Sequence, residues 1–254
     1  MNRLYFTGDC HSNFSKFTMK NFPEQKELDR DDFVIVLGDF GIWQDTPQER
    51  HDLDNLSNRS FTTLFVDGNH ENYDRLYGDE FPIVDFHGGK AQKIRDNIYH
   101  LLRGYVFDIS GKKIFVMGGA SSHDISDGIL DINDFKSKRE FAKVYRQMYH
   151  QNKMFRVNHL SWWKEELPSQ EEMNRGITEL EKVDGKVDYV LTHCLPTGIA
   201  SEIGWIGKDY LMDYLQDLIL DYDLEFKKWY CGHYHVNRNY GIFEILYEKI
   251  ERIV

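Results

Sequence analysis

The chain has 254 residues, enough for one large domain with a sizeable core, and 41% hydrophobic with 29% charged residues is the make-up of an ordinary soluble globular protein. A net charge of −11 and a pI near 5.4 disfavour a protein that holds long nucleic acid through many phosphate contacts, because that mode needs a Lys/Arg-rich face. No apolar run approaches the ~18 to 20 residues of a membrane helix, the N-terminal MNRLYFTGDC leaves no room for a leader, and three cysteines, an odd count, point to reduced thiols in a cytoplasmic setting.

Residues 3–7 (RLYFT) read as a short central strand ending at Gly8-Asp9, followed by a polar, aromatic and helix-competent stretch to about Glu27. A second strand, 33–37, runs into Gly38-Asp39. Thr46 to Asn58 reads as a helix with Thr46 as N-cap and Pro47 at the first position, where no N–H is needed. Phe61 to Val66 is rich in the Phe, Thr and Val that a pleated, buried surface favours, and it leads to Gly68-Asn69. This alternation favours a mostly parallel sheet flanked by helices. Runs at 98–102, 105–109 and 113–117, separated by Arg103-Gly104 and Ser110-Gly111-Lys112, are spaced like an antiparallel meander. The second half is therefore expected to add strands without crossover helices. Residues 120–182 are polar, aromatic and helical in propensity, and read as a helical insertion projecting from a single domain, 1–254. A strand at 188–191 runs through Thr192 into His193. An amphipathic helix, 208–220, carries Leu211, Leu215 and Leu218 at helical spacing. Strands at 227–231, ending at Gly232-His233, and at about 243–253 close the chain.

Each of five apolar runs thus ends at a residue type that binds metal. Asp9 and His11 are two apart, as are His233 and His235, so continued strand geometry would turn each pair to one side. Two Asp, three to four His and one Asn form a nitrogen and oxygen donor set suited to manganese, iron, zinc, cobalt or nickel rather than to calcium. Seven donors are too many for one tetrahedral ion and suit two ions about 3.5 to 4 Å apart. Asp39, with two oxygens at a strand end, is able to bridge such a pair. Two divalent ions against two carboxylates leave a surplus of about two positive charges, enough to draw a phosphate into an acidic chain.

The motifs GDCH (8–11), GDFG (38–41), GNHE (68–71), the isolated His193 and GHYH (232–235) resemble, in order and spacing, the five motifs of the calcineurin-like metallophosphoesterases. The resemblance covers nearly the whole chain. It implies an α/β fold built as a two-sheet β-sandwich flanked by helices. It also implies a pair of divalent transition-metal ions, manganese first, with iron, zinc, cobalt or nickel as alternatives. The first ion would take Asp9, His11, Asp39 and His235, and the second Asp39, Asn69, His193 and His233. His70 would lie beside the phosphoryl group, stabilising the transition state or protonating the leaving oxygen. The implied reaction is in-line attack of a metal-bound hydroxide on a phosphomonoester or phosphodiester. GGASSHD (118–124), with Arg156 and the following Ser-Trp-Trp (161–163), is similar to bacterial and phage members of the superfamily.

Departures from the family pattern bear on function. The acid that many members carry three residues after the bridging aspartate is here Ile42, and the arginine usual in protein-serine/threonine phosphatases is missing. A protein phosphatase is thereby disfavoured, and Glu71 and Asp74 become the local candidates to orient His70. The insertion offers His123, Arg156, Trp162 and Trp163 as substrate contacts, Arg156 by clamping phosphate oxygens and the tryptophans by stacking on a flat group. The alternative is that Arg156 pairs with an acid such as Glu165 while the tryptophans pack inward. His51, His87, His100, His150 and His159 read as structural, and the cysteines as packing groups. The expected partner is a phosphate ester, a short nucleotide or oligonucleotide among the candidates, with no membrane and no nameable protein partner. A scaffold that has lost catalysis and binds a protein is the rival reading; ligand loss would mark it, and every expected ligand is present.

Overall fold

A computed structural model describes residues 2–253. In the first half, β1 (Leu4–Thr7), β2 (Phe33–Leu37), α1 (Pro47–Ser57), β3 (Thr62–Val66), α2 (Tyr73–Leu76), β4 (Ile83–Phe86), β5 (Gly89–Arg95) and β6 (Ile98–Leu101) follow one another. In the second, β7 (Tyr105–Ile109) and β8 (Lys112–Met117) lead to β9 (Ile129–Leu130), α3 (Lys138–His150), β10 (Arg156–Val157) and α4 (Gln170–Glu181). Then come β11 (Tyr189–Thr192), α5 (Thr197–Glu202), α6 (Tyr210–Leu220), β12 (Lys228–Cys231), β13 (Arg238–Tyr240), β14 (Phe243–Ile245) and β15 (Ile250–Ile253). The strands form a seven-stranded sheet, β15-β1-β2-β3-β6-β5-β4, a six-stranded sheet, β13-β14-β12-β11-β8-β7, and a two-stranded ribbon, β10-β9.

Side-chain alternation builds the layers. Leu4, Phe6, Phe33, Ile35, Leu37, Leu64 and Val66 face the second sheet, meeting Phe107, Ile109, Ile114, Val116, Tyr189 and Leu191. The intervening Tyr5, Val34, Val36 and Phe65 face outward onto Phe17, Phe22, Phe61 and the α1 residues Leu53 and Leu56. On the far side of the second sheet, Phe115, Met117, Val190 and Trp229 are covered by Met173 and Leu180 of α4 and by Leu211, Leu215 and Leu218 of α6. Strands buried on both faces carry unbroken apolar sequences, as FVIVL in β2 does. The architecture is a two-sheet sandwich flanked by helices. Thr46 caps α1 by accepting from Glu49 N at 3.1 Å, as its position before Pro47 predicts. All three cysteines are buried free thiols.

Several expectations need correction. The stretch to Glu27 forms only two short 3₁₀ turns, Phe14–Phe17 and Pro23–Glu27. The meander splits between sheets: β6 pairs in parallel with β3, while β7 and β8 form an antiparallel hairpin in the other sheet. The chain crosses over at Arg103-Gly104, where Gly104 has φ +75°. Crossover helices are present in the second half, since β8, β11, β12 and β14 run parallel, with α4 between β8 and β11 and α5 and α6 between β11 and β12. The terminal run is two strands, β14 in one sheet and β15 beside β1 in the other. The stretch read as one insertion has two characters: none of residues 123–155 is buried, whereas α4 packs on the second sheet.

Candidate metal centre

Parallel pairing of β1 with β2 and of β2 with β3 brings the strand ends leading to Asp9, Asp39 and Asn69 side by side. In the second sheet β11 and β12 run parallel in the same way and lead to His193 and His233. The sequence expectation that continued strand geometry would align each ligand pair is corrected. His11, Asp39, His233 and His235 have φ of 48°, 47°, 68° and 50°. Left-handed turns, uncommon for residues with a β-carbon and concentrated at functional sites, therefore aim these side chains. Two glycines owe their identity to the crowding that results. A β-carbon on Gly68 would collide with Asp39 Oδ1, and one on Gly232 with Asp9 Oδ1.

Donor atoms of Asp9, His11, Asp39 and His235 all lie within 4.8 Å of one another. His11 Nε2 is 3.0 Å from His235 Nε2, and 3.7 and 3.8 Å from carboxylate oxygens of Asp9 and Asp39. On the other side of Asp39, its Oδ1 lies 3.4 Å from His193 Nε2 and accepts from His70 N at 2.8 Å. His193 Nδ1 donates to Leu37 O at 2.7 Å, which turns Nε2 toward the carboxylates. Asn69 donates from Nδ2 to Ser122 Oγ at 3.4 Å, which turns its Oδ1 the other way.

Whether these residues suit metal ions is tested by what they leave unmet. Asp9 Oδ2, Asn69 Oδ1 and His193 Nε2 are buried polar atoms that complete no well-aligned hydrogen bond, although His235 Nε2 lies 3.1 Å from Asp9 Oδ2 and Asp39 Oδ1 lies 3.4 Å from His193 Nε2. Buried polar groups are nearly always satisfied, and leaving one unmet costs about 1–3 kcal/mol. Atoms left so among these nitrogen and oxygen donors fit a site for divalent cations. The electrostatics agree. Burial opposes a charge on His193, but the Asp39 carboxylate outweighs it and lifts His193 to about 10. A proton on His193 thus answers the negative field that a cation would otherwise neutralise. Burial and the neighbouring His193 push His233 down to about 3.

The sequence profile of the calcineurin-like phosphoesterases matches residues 2–237. The chain belongs to this family. It is accordingly a metal-dependent hydrolase of phosphate esters. Among solved structures, the phosphopantetheinyl hydrolase from Mycobacterium tuberculosis is similar at 18% identity, over 100% of this chain and 96% of that one, with a TM-score of 0.46. No curated protein matches.

Around the donors, the phosphoesterase departs from the local candidates for orienting His70. Glu71 is wholly buried and accepts from the backbone N–H groups of Phe40, Gly41 and Ile42 at 2.7, 3.1 and 2.9 Å, clamping the loop that bears Asp39. Asp74 accepts from His159 Nδ1 and Trp163 Nε1. Neither touches the His70 side chain. Instead the Arg156 guanidinium lies against the imidazole, with Nη1 3.4 Å from Nδ1 and Nη2 3.2 Å from Nε2. Burial lowers His70 to about 4, and Arg156 and His11 add to this against the pull of Asp39. Its imidazole is neutral at pH 7.

Of the four insertion residues, two reach the centre and two turn away. His123 sits edge-on to His233 at 6.0 Å and to Trp205 at 5.5 Å. Arg156 reaches His70, but its fork is already engaged: Nε and Nη2 bond Asp124 at 2.6 and 2.9 Å, and Nη1 bonds Ser161 O at 2.9 Å. It is not free to clamp a phosphate, and its acid is Asp124 rather than Glu165. Trp163, proposed as a substrate contact, is corrected to a core residue, 2% exposed and edge-on to Trp43 at 5.6 Å. Trp162 is half-buried with its indole nitrogen inside, beside Glu166. His100, as expected, is structural, bridging Gln92 and Asp67.

Sequence reasoning missed three supports. Ser122 Oγ accepts from Asn69 and donates to the buried Glu166 at 2.7 Å. Lys16, 6% exposed, donates to the carbonyls of Gly8, Asp9 and Tyr247 and so ties the first motif to the C-terminal segment. Trp43 lines, with His11, Ser12, Gly41 and His70, a cleft of about 190 Å³ at the centre. Ser122 and Asp124 fall inside GGASSHD; nothing in the sequence around Lys16 or Glu166 signals a role.

Proposed function

We propose that the chain is a dinuclear phosphoesterase in which Asp39 bridges two divalent ions. Asp9, His11 and His235 complete one site, and Asn69, His193 and His233 the other. The single observation that most supports this is the convergence of the donor atoms of Asp9, His11, Asp39 and His235 within 4.8 Å of one another, with His193 Nε2 3.4 Å from Asp39 Oδ1. Divalent ions, when bound, supply an activated water nucleophile at neutral pH and offset the charge of the phosphoryl oxygens. The chain's own residues do the rest. His11 and His70 flank the cleft that would admit the phosphoryl group. Neutral His70 donates an N–H to the oxygen on which charge develops, a role that needs orientation more than a labile proton. Arg156 acts through His70, holding its ring by contact while Asp124 holds Arg156. Glu71 fixes the loop that presents Asp39.

The test begins with chelated protein, reconstituted separately with manganese, iron, zinc, cobalt and nickel, and with metal content measured by plasma mass spectrometry. The expected result is two ions per chain, with hydrolysis of at least one class among phosphomonoesters, phosphodiesters, dinucleoside polyphosphates and short oligonucleotides. A stoichiometry of one would remove the dinuclear reading.

A further inference from the structure

Arg103 stands where the chain crosses from one sheet to the other, and it is 2% exposed. Burying a guanidinium costs solvation that an apolar side chain in its place would not, so a buried pair is a weak device for stability and a better one for fixing a single arrangement. Its contacts show which arrangement that is. Nε and Nη2 both donate to Asp67 Oδ2, the first at 2.8 Å. Nη2 also reaches Tyr73 Oη at 2.8 Å, Glu165 O at 2.9 Å and Glu166 O at 3.4 Å, and Nη1 lies 3.6 Å from Glu172 Oε2.

These contacts tie together three segments that surround Asn69. Asp67 precedes Asn69 by two residues in the loop after β3, and its carbonyl accepts from Gly119 N at 2.8 Å, in the loop after β8. The Tyr73 hydroxyl lies 2.8 Å from Asp67 Oδ2 and 2.6 Å from Gly68 O. Glu166 O accepts from Ala120 N at 3.1 Å, and the Glu166 carboxylate holds Ser122, which bonds the Asn69 amide. There is no slack: a β-carbon on Gly118 would lie 2.3 Å from Asp67 Oδ1, and one on Gly119 2.5 Å from Glu166 O and 3.0 Å from Arg103 Nη2. Because β3 and β8 belong to different sheets, no strand ladder fixes the loops after them against each other. The guanidinium fork and the Gly119–Asp67 backbone bond do so.

We propose that Arg103 is a positioning residue for the metal centre, acting through Asp67 on the backbone of Asn69 and through the Glu166 segment and Ser122 on its side chain. Arg103 itself bonds none of the donor atoms. A lysine would keep the charge opposite Asp67 but has one nitrogen and no planar fork to span acceptors in three segments. The inference rests on the reading above only in that Asn69 takes one of two ions.

The experiment compares the full parent chain with Arg103→Lys and with Arg103→Met/Asp67→Asn, the second exchange leaving neither charge buried alone. Chelated protein is followed by hydrogen exchange and mass spectrometry, with peptides from β1 and α6 as internal references. Exchange across 67–70 and 118–122 should quicken by at least about tenfold in both variants while the reference peptides stay within about twofold of the parent. Calorimetric titration with manganese should then show one of two affinities falling by ~10- to 100-fold and the other unchanged, as loss of a support behind one ligand predicts. Should one variant fail to fold, the other carries both measurements. Unaltered exchange in the two loops, exchange raised equally throughout the chain, or parallel weakening of both affinities would overturn the proposal and leave Arg103 a purely structural residue. A parent chain that takes up a single ion, with the two loops loosened in the variants, would count against the dinuclear reading and still support the positioning of Asn69.

Discussion

Asp39 is the residue on which the two halves of the site meet. One oxygen lies beside His193 and the backbone of His70, the other beside His11. Asp39→Asn should therefore lower the content of both ions, whereas Asp9→Asn, facing one side only, should spare one of them. Metal analysis of the two purified variants decides this, and equal losses would refute the bridge. His70 is different in kind, because its ring meets Arg156 and the cleft. His70→Ala should retain metal and lose ~10²- to 10⁴-fold in turnover, the range of a positioned group acting on the transition state. The metal-free ring should titrate near pH 4 by NMR, since burial and Arg156 disfavour its charge. A titration near 6.5 would mean that the ring is not buried as described.

At the scale of elements, the loop after β8 supports the second half of the site. Ser122 holds the Asn69 amide by one hydrogen bond and is itself held by Glu166, which follows the β9-β10 ribbon in the chain. Ser122→Ala frees that amide to turn. It should reduce affinity for one of the two ions by ~10- to 100-fold, the usual cost of losing a support behind a ligand. Calorimetric titration should then show two affinities moving apart, and parallel weakening of both ions would contradict the assignment. Glu71 does the corresponding work for the loop after β2. Glu71→Gln presents an amide N–H₂ to backbone donors and leaves at least one of them unmet, so a loss of about 1–3 kcal/mol in unfolding free energy is expected. Chemical denaturation measures it.

For the whole molecule, the metal-free centre predicts a stability optimum. His193, raised to about 10 in the fold, contributes stability that is complete below its unfolded value and is lost as pH climbs from about 6.5 through 10. His70 and His233, depressed to about 4 and 3, contribute stability present above about 6.5 and lost as pH falls toward those values. Chelated protein should thus melt highest near pH 6.5, and bound metal, which replaces the proton on His193, should raise the alkaline limb. A flat profile in chelated protein would overturn the electrostatic account.

The five donor-bearing motifs were legible in sequence because each is local: an apolar run and a donor lie within a few residues of one another. The caps of α1 and the apolar stripe of α6 were legible for the same reason. Sheet membership was not, because β6 and β7 are separated by a three-residue link, Leu102 to Gly104, that looks like a hairpin and is a crossing between sheets. What decides it is pairing of β6 with β5 and β3 and of β7 with β8, and of these only the pairing with β3 is distant in sequence. The turns at His11, Asp39, His233 and His235, the Asp124–Arg156–His70 contact and the inward course of Trp163 likewise depend on neighbours distant in the chain. Sequence alone determined which residues can ligate metal, since donor chemistry belongs to the residue; tertiary structure decided where they converge and what holds them, since convergence belongs to contacts across the two sheets.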